Sequence, residues 1–490
     1  MDADVALIAT KLDSLMTSVE RECETRYQAW RPMIERAEFH SSARNLAAYL
    51  AVRHRDLRDL QRALAPLGLS SLGRLEARVL PTLRAVRTAL AALQGQVQPR
   101  QLKSQIFYAG DRRLAAQARS IFGISGPAQP VGLMVTCPSE AADDPTFMTE
   151  LAKRGVQAVR INCAHDDVAA WGRMIGHLRA AEATLGVTLK VFMDLAGPKI
   201  RVGGVRTPRH EKKIHTSDVL AITRIGQLDR MDDEHVFAVE CSLPEVLDVA
   251  RIGDRVFVDD GKLAAAIERV EPWGVLARVT SVEAEGLKLK CERALNFPDT
   301  PLQVNALTDK DRKDLTFVTA HADGIEYSFV QSAEDVRMLQ QALTEHRPDD
   351  WRKISLVLKI ETARAVANLP EIIVQAAGRQ PSAVMIARGD LAVEIGFART
   401  AEMQEEILWI AEAASVPVIW ATEVLEHLVK KGRPLRGEMT DAAMAARSEC
   451  VMLNKGPYLF EAIDQLQPLL RRMNTNQHKK APILRRLHSW

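Results

Sequence analysis

Three polar pairs two positions apart carry the chemistry this sequence could do: Arg160 with Asn162, Lys359 with Glu361, and Arg388 with Asp390. On an extended strand, alternation sends both members of such a pair to one face. Glu361 and Asp390 are then expected to end consecutive strands, which a sheet holds about 5 Å apart. Two hard carboxylates at that range, with coordination positions left open, suit Mg²⁺ or Mn²⁺ shared with substrate oxygens. Lys359 and Arg160 beside them would neutralise charge that shifts on a phosphate during transfer. The plain alternative is a set of rim salt bridges. One pair alone would favour it; three pairs at one rim do not.

The elements that must position these residues are legible from residue 131 onward. Short apolar runs alternate with longer amphipathic segments, as in repeated βα units around a parallel sheet. The runs are VGLMVT, QAVRIN, LKVFMD, GIEYS, SLVLKI, AVMIA, PVIWA and CVML. Eight such runs close a (β/α)8 barrel, whose chemistry sits at the C-terminal ends of its strands. Most of the runs end in, or are followed at once by, a polar residue: Thr136, Asn162, Asp194, Ser328, Glu361, Arg388, Thr422 or Asn454.

The gap between the third and fourth runs is too long for one βα connection. RVFVDDGKLAAAIERV, GVLARVTSV and LKLKCERAL within it read as a β-meander with a turn at Gly261. A lid inserted there, above the barrel mouth, would exclude water from a reactive phosphate. Before the barrel, leucines recur at helical spacing with arginine-rich faces between them, which read as solvated or packing faces rather than a phosphate patch. Gly68 to Gly73 breaks that pattern, with serines suited to cap the next helix. The fold class expected is α/β, a (β/α)8 TIM barrel with an inserted all-β lid domain and an N-terminal helical region. Its expected divisions are 1–127 (helical region and linker), 128–202 (first part of the barrel), 203–300 (lid), 301–475 (second part of the barrel) and 476–490 (tail).

A formal net charge of +2 over 490 residues argues for neither nucleic acid nor a membrane as partner. The six cysteines are scattered without a CxxC pair, which fits reduced thiols better than a disulfide framework or zinc site. The acidic N-terminus is unlike a signal peptide, and no apolar run reaches membrane-spanning length, so a cytoplasmic protein is expected. A homo-oligomer is an open expectation.

Longer segments carry a resemblance. KIETARAVANLPEII, VMIARGDLAVEIG, PVIWATEVLE and RPLRGEMTDAA resemble, in that order, the metal-binding and substrate-loop segments of pyruvate kinases. VRINCAH, MDLAGPKIRVG, ALTDKDRKDL and YSFVQSAEDV are similar to the second-, third- and fourth-strand motifs of the same family. The resemblance implies a barrel with a β-rich lid after the third strand, and transfer of a phosphoryl group from phosphoenolpyruvate to ADP, giving pyruvate and ATP. It implies Glu361 and Asp390 as ligands of Mg²⁺ or Mn²⁺, and Lys359, Arg160 and Thr422 as the catalytic residues around phosphoryl group and enolate. Arg388, Gly389, Asp390 and Thr422 are then expected at the substrate, and Arg160, Asn162, Arg201 and Thr136 at the nucleotide and phosphates, with Asp194 near the monovalent cation.

The departures cluster. Ala164 stands where the family has a K⁺-binding serine, and Lys199 stands in GPKIR where many members have glutamate. Lys199 is therefore expected to substitute for the monovalent cation, with K⁺ not required. TCPSE is one residue short, Asp166 replaces a glycine near the nucleotide, and Gln331 replaces an arginine. No counterpart of the family's C-terminal regulatory domain is expected. The altered nucleotide end leaves two alternatives open: a phosphotransferase using the phosphoenolpyruvate or pyruvate site with another acceptor, or a non-catalytic scaffold.

Overall fold

The computed structural model describes residues 2–96, 103–124, 129, 131–228, 236–300 and 305–482. The divisions expected at 127/128 and 300/301, and residues 483–490 of the tail, touch positions outside that set.

Eight parallel strands close a barrel. They are β1 (Gly132–Thr136), β2 (Ala158–Asn162), β3 (Lys190–Asp194) and β4 (Gly324–Tyr327), then β5 (Ser355–Ile360), β6 (Ser382–Ala387), β7 (Val418–Ala421) and β8 (Cys450–Leu453). Neighbours in the ring follow chain order, and β8 pairs with β1 to close it. The lower interior is apolar: Met134, Ala158, Phe192, Val357, Met385, Ile419 and Met452 share one buried cluster. Helix Ala109–Phe122 belongs to that cluster through Ala118, Ile121 and Phe122, whose ring lies 6.1 Å from that of Phe192. Gly324 is required here, because a Cβ on it would lie 2.4 Å from the Phe192 ring. Strand alternation continues from this apolar layer into a polar one at the C-terminal ends. Thr136 lies above Met134, Asp194 above Phe192, and Lys359 above Val357.

Between β3 and β4 the chain builds a seven-stranded sheet with its own core. In order its strands are Leu295–Asn296, Arg255–Val258, Leu263–Glu271, Gly274–Val282, Val219–Thr223, Phe237–Cys241 and Val202–Arg206. The antiparallel meander and the Gly261 turn are present, but LKLKCERAL is not a full strand. Leu295 and Asn296 pair with Val258 and Phe257, while Leu287 and Ala294 make isolated bridges to Ile214 and Arg201. The intervening Lys290, Glu292 and Arg293 line a cavity against the barrel instead.

The N-terminal segment is helical, with long helices Asp2–Trp30, His40–Arg53 and Val79–Leu93. Their apolar faces join the core formed by the barrel's outer helices. The arginines are spent locally or on the barrel: Arg78 pairs with Asp111, Arg84 with Glu20, and Arg36 donates to the carbonyls of Ala377 and Gln380. Leu7 is an exception to the apolar pattern, being more than half exposed. The serines near residue 70 cap no helix; the Val79 amide donates to Asn45 from the neighbouring helix. Among the described residues no helix is long and apolar enough to cross a membrane.

Candidate active site

Strand register sets the frame. Asn162, Asp194 and Glu326 lie side by side on β2, β3 and β4, and Thr136 lies beside Arg160. Arg160 donates from Nε to Glu326 at 2.9 Å and from Nη1 to Thr136 Oγ1 at 3.1 Å, and forms a short ion pair with Asp194. Lys359 donates to Ser328 Oγ at 2.7 Å and to Asp194 Oδ1 at 3.1 Å, and lies 3.2 Å from Glu361 Oε1. Ser328 completes the network by donating to Asp194.

Burial of these groups sets their electrostatics. Burial alone would drive the Lys359 ammonium to lose its proton, but Asp194 and Glu361 outweigh that and raise its pKa above the usual lysine value. Burial likewise opposes ionisation of Asp194, yet Arg160 and Lys359 hold it below the usual range. Glu326 is pushed up to about 7, chiefly by burial and despite Arg160, with Asp194 adding to the rise. Glu361 is also raised, first by burial; Lys359 opposes the rise and Asp390 reinforces it.

The expectation that Arg388 and Asp390 share a strand face fails. β6 ends at Ala387, and both residues fall in the first turn of helix Arg388–Ile395. Residues two apart on a helix diverge by about 200°. Arg388 turns toward Asp441 and the carbonyls of Ala421 and Thr422, its guanidinium 4.9 Å from the centre of the Trp420 ring. Asp390 instead meets Lys199, whose Nζ lies 2.7 Å from Oδ1. Thr422 follows β7 at φ +62° and Glu423 at +55°, left-handed backbone that a β-branched residue rarely adopts. That conformation carries Thr422 Oγ1 to 2.9 Å from the Gly389 amide, which donates to it.

The sequence-predicted phosphate group divides. Arg160 and Thr136 sit in the Asp194 network. Asn162 accepts the Ala164 amide at 2.9 Å. Arg201 lines a cavity of about 650 Å³ with Lys199, Lys290, Arg293 and Lys310, against which Glu292 is the one carboxylate. Lys199 shares that cavity with Ala164, but its ammonium goes to Asp390 and not to Asn162. Sequence reasoning missed Glu326, Lys290, Arg293, Lys310 and Asp441. Glu326 had a signal, standing two residues before Ser328 on the fourth run; the lid residues had none.

Among the described residues no group of three or more His, Cys, Asp or Glu side chains suits a metal ion. Glu361 and Asp390 are two hard carboxylates, each answered by an ammonium group, and their mutual repulsion favours a cation between them. That donor set fits Mg²⁺ or Mn²⁺ sharing its remaining positions with substrate oxygens.

Comparison with known proteins places this barrel. The family model "Pyruvate kinase, barrel domain" matches residues 118–463. The chain belongs to the pyruvate kinase family. It is 28% identical over 350 residues to a pyruvate kinase of Geobacillus stearothermophilus, a match covering 70% of this chain and 56% of that one. The chain thus spans little more than half the length of that relative. With pyruvate kinase 1 of Trypanosoma brucei brucei the identity is 31% over 326 residues, covering 65% and 62%. A crystal structure of a pyruvate kinase from Cryptosporidium parvum superposes with a TM-score of 0.63 at 24% identity, covering 73% and 72% of the two chains. At that identity the likeness speaks for the fold alone.

Proposed function

We propose that this protein transfers a phosphoryl group from phosphoenolpyruvate to ADP, releasing pyruvate and ATP. The observation that carries the reading is Lys359: a buried ammonium held charged beside Asp194, Ser328 and Glu361, at the rim where Asp390 also stands. A fixed cation in a dry site stabilises the negative charge that collects on the enolate oxygen as the phosphoryl group departs. The helix N-terminus that begins at Arg388 suits the substrate carboxylate, with Thr422 Oγ1 fixing it by accepting the Gly389 amide. Arg160, anchored by Glu326, presents its guanidinium toward the transferring phosphate. A divalent ion on Glu361 and Asp390 would act as a Lewis acid for phosphate and enolate oxygens. The basic cavity of Arg201, Lys290, Arg293 and Lys310 suits the diphosphate of the nucleotide and favours ADP over an uncharged acceptor.

The test is pyruvate release from phosphoenolpyruvate with and without ADP, in Mg²⁺ or Mn²⁺. Release that requires ADP is the expected result. Release with another acceptor, or binding without turnover, would overturn the assignment. Within it, Asp390→Asn should lower kcat by several orders of magnitude, measured at saturating phosphoenolpyruvate.

A further inference from the structure

Lys199 lies in the loop that leads from β3 into the inserted domain. Its ammonium stands between two carboxylates: Asp390 Oδ1 on the barrel at 2.7 Å and Asp260 Oδ1 on the inserted domain at 3.9 Å. Two cavities open between domain and barrel, of about 340 and 650 Å³, and Lys199 is the one residue that lines both. The turn bearing Asp260 is a run of left-handed backbone, with φ of +53°, +56° and +87° at Asp259, Asp260 and Gly261. It touches the helix that bears Asp390, because a Cβ on Gly261 would lie 3.7 Å from Val393. Asp259 is already engaged by Lys262 at 2.8 Å and Arg293 at 3.3 Å. Asp260 is exposed, and Lys199 is its one ion-pair partner among the described residues.

An ammonium in contact with one carboxylate oxygen neutralises charge that would otherwise attract a metal ion. A divalent ion arriving at Asp390 competes with Lys199 for the same carboxylate charge and repels the ammonium. The lysine's long, flexible stem lets it turn to Asp260, the other carboxylate within ion-pair distance of its ammonium among the described residues. We propose that Lys199 is a positioning residue, a tethered cation that rests on Asp390 until a divalent ion binds and then transfers to Asp260. Loading the metal site thereby latches the inserted domain onto the barrel. This rests on the reading of Glu361 and Asp390 as the divalent ligands.

Mn²⁺ binding to the full-length protein without substrates, read by electron paramagnetic resonance of the free ion, tests it. Lys199→Met should bind Mn²⁺ roughly tenfold more tightly, having lost its internal competitor. Asp260→Asn should weaken binding roughly threefold in the wild-type background and leave it unchanged in Lys199→Met, as coupling between neighbours requires. Hydrogen exchange should show the 259–262 turn becoming protected when Mn²⁺ is added to the wild type, and not in Lys199→Met. Should that variant fold poorly, Lys199→Gln carries the same expectations. Unchanged affinity on removing the lysine, or an Asp260→Asn effect equal in both backgrounds, would overturn the hand-over while Asp390→Asn still abolished binding. Mn²⁺ binding that survives Asp390→Asn would instead overturn the metal assignment itself.

Discussion

At the scale of single residues, the site is a chain of alternating charges: Glu326, Arg160, Asp194, Lys359, Glu361. Each buried charge is tolerable because its neighbours oppose it, and breaking one pair strands another. Lys359→Met should therefore lower kcat by about a thousandfold or more, with a far smaller change in KM for phosphoenolpyruvate, the pattern of an interaction that strengthens in the transition state. Steady-state kinetics beside a thermal melt separates this from misfolding. Asp194 is already met by two fixed cations, Arg160 and Lys359, and position 164 offers no side-chain oxygen. Little negative charge is left for a monovalent ion to answer. Activity in tetramethylammonium buffer should equal that in K⁺; an enzyme silent until K⁺ is added would contradict this.

Among the elements, helix Phe397–Ala413 joins the barrel to the N-terminal helices, where Asn45 donates to the Ala413 carbonyl at 2.8 Å. Near its end, Glu412 faces a cavity of about 390 Å³ shared with helix Ala109–Phe122. Burial pushes its carboxyl up to about 7; Lys479 opposes the rise, and Glu76, Glu449 and Asp111 add to it. A carboxyl with a raised folded-state pKa binds its proton more tightly folded than unfolded. Its favourable contribution is present at low pH and is lost as pH rises from about 4.5 to 7. Glu412→Gln should thus stabilise the protein by roughly 2–3 kcal/mol at pH 8 and leave it nearly unchanged at pH 4.5, measured by urea unfolding. On the barrel wall, Gly324→Ala should destabilise by about 1–3 kcal/mol, because the Phe192 ring cannot retreat from the apolar layer around it.

At the scale of the whole molecule, one apolar core runs from the N-terminal helices into the outer barrel, while the inserted domain keeps a core of its own. Glu35 and Arg36 donate their amides to the Gly378 carbonyl, at a place where a Cβ on Gly378 would lie 2.8 Å from the Met33 carbonyl. The helical region is therefore built into the barrel wall. Removing residues 1–96 should uncover this apolar face and leave a chain that aggregates on expression, checked by the soluble fraction and light scattering. The inserted domain, with its separate core, meets the barrel across the two cavities that Lys199 lines and is the part suited to move.

The eight strands, the insertion after the third and the polar rim were legible in the sequence, because strand burial and alternation are local properties that each run carries within itself. The pairing of Lys359 with Glu361 followed from the same period of two. That period also misled where it no longer applied: Arg388 and Asp390 fall past the end of β6 onto a helix, and nothing local in VMIARGD marks the changeover. Glu326 gained its role from the register that sets it beside Asp194. The basic cavity depends on how the insertion folds back over the barrel, bringing Lys290 and Arg293 to Arg201 across about ninety positions of chain. For Lys199 the sequence determined a cation on a flexible stem in the loop after β3. Which carboxylate it meets was decided by tertiary structure alone, since Asp260 and Asp390 reach it from two separately folded cores.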